Sequence, residues 1–402
     1  MRRVPLLACL VLLACAEPAP LAEAESPSAV WRAALARSEA AVFASDYARS
    51  SPVARRAAEE YAAGLAGSAW RLAEDEAVLE APSFDRNDAI AALPGLFNPD
   101  NHYQNALLEP GGSYRITGRR GTHLQLLLQV LDAYPLAVLG ESRLVIDVDA
   151  LGVAPGEDFE LWLGGAERPG HWYPLAEDAR ALIVRMTFAD WESETPSALR
   201  IDRLDTARAA PPGPFFARAA GYLDQLTALW TGTFMLRIRL APRNDLSEPA
   251  PTRDGLVGQF SSIGRFELAE DEGLLITASR GQAKYLGIQL GDPWLVTPDW
   301  IRHAVSLNHR QARADADGRI RVVVAPRDPG LPNWLDTAGH PEGFVFLRWQ
   351  GLAAPLAAED APSAEVVKLA ALRAKLPAET PVVDAAARAR QLAGRRFAPV
   401  RK

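Results

Sequence analysis

Cysteine is nearly missing from this chain. Only Cys9 and Cys15 occur among 402 residues, and both lie near the N-terminus. The body beyond them can hold no disulfide, no thiolate metal site and no cysteine nucleophile, so its stability rests on packing. After the extreme N-terminus no apolar run is long enough to cross a bilayer. There is no dense basic stripe, and the net charge is −7, which argues against a nucleic-acid partner, because such binding rests on phosphate neutralisation. A Walker loop, a Gly-x-Gly-x-x-Gly turn, a His-Glu-x-x-His helix and a Gly-x-Ser-x-Gly elbow are all missing. Ser261-Ser262 lies near glycines at the wrong spacing for such an elbow, and Asp315-Ala316-Asp317-Gly318 starts like a calcium loop but lacks the remaining ligands. The latter reads as a hairpin turn. No metal and no cofactor is expected.

What is present begins with an address. Arg2 and Arg3 precede the apolar stretch Val4 to Ala14, too short to span a membrane and suited to a secretory signal. It ends Leu12-Leu13-Ala14-Cys15, the pattern of a bacterial lipoprotein signal, with cleavage before Cys15 and lipidation there. Plain secretion with cleavage near Ala22 or Ala24 is the alternative. Either way the expected location is the bacterial cell envelope, periplasmic or outer-surface, with a lipid anchor as the membrane attachment. At 49% hydrophobic and 23% charged, the rest has the composition of a globular body.

The architecture shows through an internal repeat. Ile116-Thr117 and Arg120-Gly121 match Ile276-Thr277 and Arg280-Gly281 at an offset of 160, which also holds for Gln129 with Gln289 and for Pro169-Gly170 with Pro329-Gly330. The offset then moves to 162, where Trp172 meets Trp334 and Leu182 to Val184 meets Phe344 to Phe346. Two copies of one β unit are expected, near 98–205 and 257–350. Short alternating segments with Pro/Gly/Asp turns between them predict strands of antiparallel sandwiches. Ser26 to Tyr47 and Pro52 to about Leu79 predict N-terminal helices, and Phe215 to Trp230 predicts a linking helix. Val366 to Leu376 and Asp384 to Arg396 predict short C-terminal helices. The fold class is thus mainly β with added α: two antiparallel, jelly-roll-like β-sandwich units flanked and linked by helices. The expected division is a signal at 1–25, a helical region at 26–97, a first sandwich at 98–210, a linker at 211–256, a second sandwich at 257–352 and a helical tail at 353–402.

The candidate chemistry clusters in the second copy. Asn308 and His309 precede its hairpin; Arg327, Asp328, Asn333, Trp334, Asp336, His340 and Glu342 follow in one stretch stiffened by Pro326, Pro329 and Pro332. A carboxylate beside an imidazole fixes its tautomer and raises its basicity, so His340 with Asp336 or Glu342 is a candidate acid–base pair and Arg327 a candidate anion stabiliser. Asn308, His309, Asp328, Asn333 and Trp334 are candidate ligand contacts, the indole offering a flat face for a sugar ring. The same residue types also serve to satisfy loop backbone, and Trp334 has a partner in Trp172, so loop architecture is the competing reading. Two functions follow: binding of a polar small molecule or glycan, or an envelope hydrolase or lyase built on the His/carboxylate pair.

Tyr285 to Trp294, Ser306 to His309, Asp315 to Arg319 and Arg327 to Gly343 together resemble the bacterial domain of unknown function numbered 1214. Asn98-Pro-Asp-Asn-His-Tyr103 and Arg168-Pro-Gly-His-Trp172 resemble what precedes that domain in its longer members. The resemblance implies a β-sandwich body with added helices and supplies no reaction.

Overall fold

The computed structural model describes residues 26–86, 95–134, 140–206, 213–233, 235, 239–252, 256 and 258–397. Cys15 and the basic end at Arg401 and Lys402 lie outside them. The chain starts with Ala29–Phe43 (α1), Asp46–Ser50 (α2) and Pro52–Glu76 (α3). The hydroxyls of Ser45 and Ser51 accept from the backbone N–H of Ala48 and Ala54, both at 3.1 Å, and so cap α2 and α3. The single helix expected over Ser26 to Tyr47 is therefore split, because Ser45 starts a new one. Pro52 fits at the start of α3, where its missing N–H has no partner to lose. Buried alanines at 58, 62, 69 and 73 let α3 approach Phe215–Thr227 (α4), with Tyr61, Leu65, Leu223 and Leu226 in the same cluster. This is the expected linking helix; its end continues as a π-helical turn over Ala228–Thr233.

The first β unit comprises Asp85–Arg86 (β1), Asn101–Leu107 (β2), Tyr114–Arg119 (β3), Gln125–Leu131 (β4), Ser142–Asp147 (β5), Asp158–Leu163 (β6), His171–Tyr173 (β7), Ala181–Thr187 (β8) and Ala198–Arg203 (β9). The second comprises Ala250–Pro251 (β10), Gln259–Glu267 (β11), Glu272–Ala278 (β12), Tyr285–Gly291 (β13), Ser306–Asn308 (β14), Ile320–Ala325 (β15), Trp334–Asp336 (β16), Glu342–Gln350 (β17) and Ser363–Lys368 (β18). The large sheets run β1-β2-β8-β4-β5 and β10-β11-β17-β13-β14; the small ones run β7-β6-β3-β9 and β16-β15-β12-β18. Strand for strand, the second unit repeats the first. The pairs are antiparallel except β6 with β7 and β15 with β16, which are parallel.

Period-2 alternation fills each sandwich. Leu126, Leu128, Leu161, Val184 and Met186 form the first core, and Ile276, Ile288, Val322, Leu347 and Trp349 the second. Each such side chain contributes about 1.5–3 kcal/mol on burial. The repeated Pro-Gly turns have one cause: Gly170 and Gly330 both sit at positive φ, +95° and +68°, where a Cβ is strained.

Three expectations need correction. Val366 to Leu376 is not a single helix: Ser363–Lys368 is the strand β18 beside β12, and only Leu369–Lys375 is helical, as a 3₁₀ helix. The second unit therefore reaches past 352, and β1 and β10 add strands ahead of 98 and 257. The copies also slip one residue further than 162. Gln129 pairs with Ile183 while Gln289 pairs with Phe346, an offset of 163 for β8 and β17. The predicted last helix is present as Ala385–Gly394 (α5).

The outer faces of the two large sheets are unusual because they are buried and polar. Asn101, Asn105, Gln125 and Gln129 on one, and Gln259, Gln289 and Gln350 on the other, are each less than a tenth exposed. Arg185 in β8 donates to the side-chain oxygen of Gln129, and its equivalent Arg348 in β17 donates to that of Gln289. Burial pushes both guanidinium pKa values down, and the nearness of Arg348 adds to the effect on Arg185. The matching arginines of the two units thus lie within electrostatic reach of each other.

Candidate functional site

The 327–342 loop does not gather its residues. Strand β16 and the turns on either side send successive side chains in different directions, each to a local partner. Arg327 is exposed and pairs with Glu270. Asp328 accepts from the Gly330 N–H at 2.8 Å and holds Arg388 of α5 at 2.8 and 3.0 Å. Asn333 ties backbone together: its amide donates to the Arg313 and Arg321 carbonyls at 2.7 and 2.9 Å, and its oxygen accepts from the Arg313 N–H at 2.8 Å. The Trp334 indole donates to the Ala325 carbonyl at 3.0 Å, as Trp172 does to the Gly164 carbonyl at 3.0 Å in the first unit. The same bond at equivalent places in both copies identifies these indoles as architecture.

The expected acid–base pair is not formed. Asp336 Oδ2 lies 2.8 Å from Nδ1 of His303, and Oδ1 accepts from the Ala338 N–H at 2.9 Å. His340 Nδ1 lies 2.7 Å from the Tyr47 hydroxyl instead. Burial lowers the His340 pKa to about 4, so the ring is neutral at pH 7 with no carboxylate to orient it. His309 is likewise lowered to about 4, by burial and then by Arg280, and accepts from the Leu286 N–H at 3.5 Å. Glu342 faces another cavity. Among the described residues no group of three or more His, Cys, Asp or Glu side chains could hold a metal ion.

Asn308 belongs to a centre that the sequence did not single out. Asp100, just ahead of β2, is 1% exposed. Its carboxylate accepts from the Trp191 indole at 2.7 Å, the Asn308 amide at 2.8 Å and the Tyr285 hydroxyl at 2.6 Å. Asn98 donates to the same hydroxyl at 2.9 Å. Burial raises the Asp100 pKa, opposed by these three donors and by the charge of Arg395. One carboxylate thus joins the first unit to β13 and β14 of the second. The Asn98-Pro-Asp-Asn turn was the available signal.

Beside this centre a cavity of about 440 Å³ opens at the seam between the units. Asp190, Trp191 and Glu192 line it from the first unit; Leu307, Arg310, Gln311 and Trp334 from the second; Arg388, Gln391 and Arg395 from the C-terminal segment. The Arg395 guanidinium lies 4.9 Å from the Trp191 ring and bonds the Ser306 carbonyl at 3.0 Å and hydroxyl at 2.9 Å. Burial lowers its pKa to about 10. Asp190 is committed to the Ser193 hydroxyl at 2.7 Å, which with its backbone donors keeps its pKa down. The Arg310 side chain is exposed and makes no hydrogen bond or ion pair among the described residues, although its charge helps to keep the Asp190 pKa down. The cavity therefore offers an indole wall, neutral amides and one uncommitted cation.

These features define a β-rich protein of two repeated sandwiches with helices at both ends. Among solved structures, an uncharacterized protein from Burkholderia cenocepacia is 31% identical to this chain, covers 86% of it over 97% of its own length, and superposes with a TM-score of 0.76. The chain belongs to the family of that protein. A protein from Vibrio parahaemolyticus also aligns, at 12% identity over 78% of this chain and 99% of that one, with a TM-score of 0.46. No family model and no curated protein matches the chain.

Proposed function

We propose that this is an exported, lipid-anchored cell-envelope protein that binds a polar small molecule or glycan in the seam cavity. The observation that carries the reading is the convergence of three distant parts of the chain on one concavity, with Arg310 left uncommitted at its edge. The pocket is of a size to enclose a sugar or two, and it combines a flat aromatic wall with a few placed polar groups, as small-molecule sites do. The lipoprotein-like stretch ending at Cys15 supports the envelope location, and the likeness of 285–343 to domain of unknown function 1214 is in keeping with a two-sandwich body. The hydrolase or lyase alternative has lost its motivation, since Asp336 is held by His303, His340 by Tyr47, and Glu342 lines a separate cavity.

The test is a thermal-shift screen of the full-length protein in detergent against sugars, envelope glycans and small acids, repeated with Arg310→Ala and Gln391→Ala. A ligand at a hundred times its dissociation constant adds about 2.7 kcal/mol. A hit lost in both variants and kept in His340→Asn places the ligand at the seam. A screen without hits, or hits indifferent to Arg310 and Gln391, refutes the proposal. Loss of membrane association in Cys15→Ala checks the anchor independently.

A further inference from the structure

A second cavity, of about 300 Å³ and with none of the seam cavity's lining residues, lies where α2 and the 239–243 segment meet one end of the second large sheet. Its inner wall is set by strand register. Glu267 pairs with Glu342 and Arg265 with Phe344 across β11 and β17, so all four side chains share the outer face of that sheet. Trp294, stacked on Tyr61 at 4.9 Å, and Phe344 make an apolar floor; Tyr47 stands at the side.

The charges in this cavity are incompletely matched. Glu267 is taken by Arg243 at 3.0 Å. Arg265 spends its Nε on the Ala241 carbonyl at 3.1 Å, which leaves its terminal nitrogens without a partner among the described residues. The Arg239 side chain makes no hydrogen bond or ion pair among them, and neither does the Glu342 carboxylate. The indole N–H of Trp294 is buried and also unpartnered. Arginine is suited to bidentate capture of a carboxylate, and two such groups stand free over an aromatic floor.

We propose that this cavity is a second binding site, separate from the seam, for a small organic acid with a compact apolar body. Arg239 and the terminal nitrogens of Arg265 hold the acid group, and Phe344 and Trp294 take the body. Glu342 is the selecting group. Burial and neighbouring Glu267 raise its pKa, while Arg265, Arg239 and Arg243 oppose the rise. An ionised Glu342 repels the ligand, so binding strengthens as the pH falls; Tyr47 faces it as well, with its pKa raised by burial and then by Asp292 and Glu342.

The experiment is calorimetric titration of the full-length protein in detergent with phenylacetate, with 2-phenylethanol as the uncharged match and galacturonate as an acid without an apolar body. Phenylacetate is expected to bind roughly ten- to a hundredfold more tightly than 2-phenylethanol, the range of one to two charge-assisted hydrogen bonds. Arg239→Gln, whose side chain is exposed and removable without cost to the fold, loses most of that difference; Arg239→Gln with Arg265→Gln loses all of it. Glu342→Gln tightens phenylacetate at pH 8, and Arg310→Ala at the seam changes nothing, which separates this site from the one proposed above. No phenylacetate binding, equal binding in the double arginine variant, or preference for galacturonate each overturns the assignment.

Discussion

Asp292 offers a measurable test of how the helices are joined to the second sandwich. It is 4% exposed in the turn after β13. Its Oδ1 accepts from the N–H groups of Trp294 and Val296 at 2.8 and 2.9 Å, which fixes the turn that presents Trp294 to Tyr61. Burial outweighs those two bonds, with the charge of Glu60 in support, and raises the carboxyl pKa from 3.8 to about 7. The folded state therefore keeps a proton that the unfolded chain gives up near its ordinary value. Stability from this group is complete at low pH and is lost as the pH rises through 3.8 to about 7, a change on the order of 4 kcal/mol. Asp292→Asn keeps the oxygen that accepts both backbone bonds and cannot ionise. Urea unfolding of both proteins between pH 4 and 8 gives the comparison. The variant should gain on the wild type steadily up to about pH 7 and by a constant amount beyond it. Parallel stability curves across the whole range would falsify the argument that burial controls this carboxyl. Histidines that titrate in the same window cancel in the difference.

Other outcomes follow from the same structure. Asp100→Ala leaves three buried donors on Trp191, Tyr285 and Asn308 without an acceptor and should cost about 3–6 kcal/mol in urea unfolding, at the usual 1–3 per orphaned group without full additivity. A loss below about 1 kcal/mol means that water replaces the carboxylate. Trp334→Phe strips the Ala325 carbonyl of its donor and should lower stability by about 1–3 kcal/mol, read from the melting temperature. His340 is a base with its pKa lowered from 6.5 to about 4, so its contribution is intact above pH 6.5 and lost as the pH falls toward 4. His340→Asn should flatten that part of the wild-type curve, on the order of 3 kcal/mol, and unchanged pH dependence excludes the ring as its source.

The duplication was legible because core periodicity and turn chemistry are local. Ile116 and Ile276 lie in matching strands, and Pro169-Gly170 and Pro329-Gly330 need the same backbone angles. Val366-Val-Lys368 was misread because the Leu-Ala-Ala-Leu-Arg-Ala-Lys run that follows it favours helix, and only pairing with β12 makes it a strand. The candidate site failed for a related reason. Proximity in sequence placed Asp336, His340 and Glu342 together, but a strand and tight turns send neighbours to opposite sides, and their partners His303 and Tyr47 are tens to hundreds of positions away. Asp100 could not be found by spacing at all, since its donors lie at 191, 285 and 308.

The paired arginines follow from the repeat itself. In a symmetric pair of identical chains, a surface residue near the twofold axis meets its own copy, so like charges confront each other there unavoidably. Arg185 and Arg348 occupy equivalent strand positions, and Arg348 lies near enough to lower the Arg185 pKa. A repeat within one chain meets the same constraint. Its halves are nevertheless free to differ. The position before β2 holds Asp100, whereas the position before β11 holds Gly258. A lone first unit would therefore keep Asp100 but lose the Tyr285 and Asn308 donors that the second unit supplies.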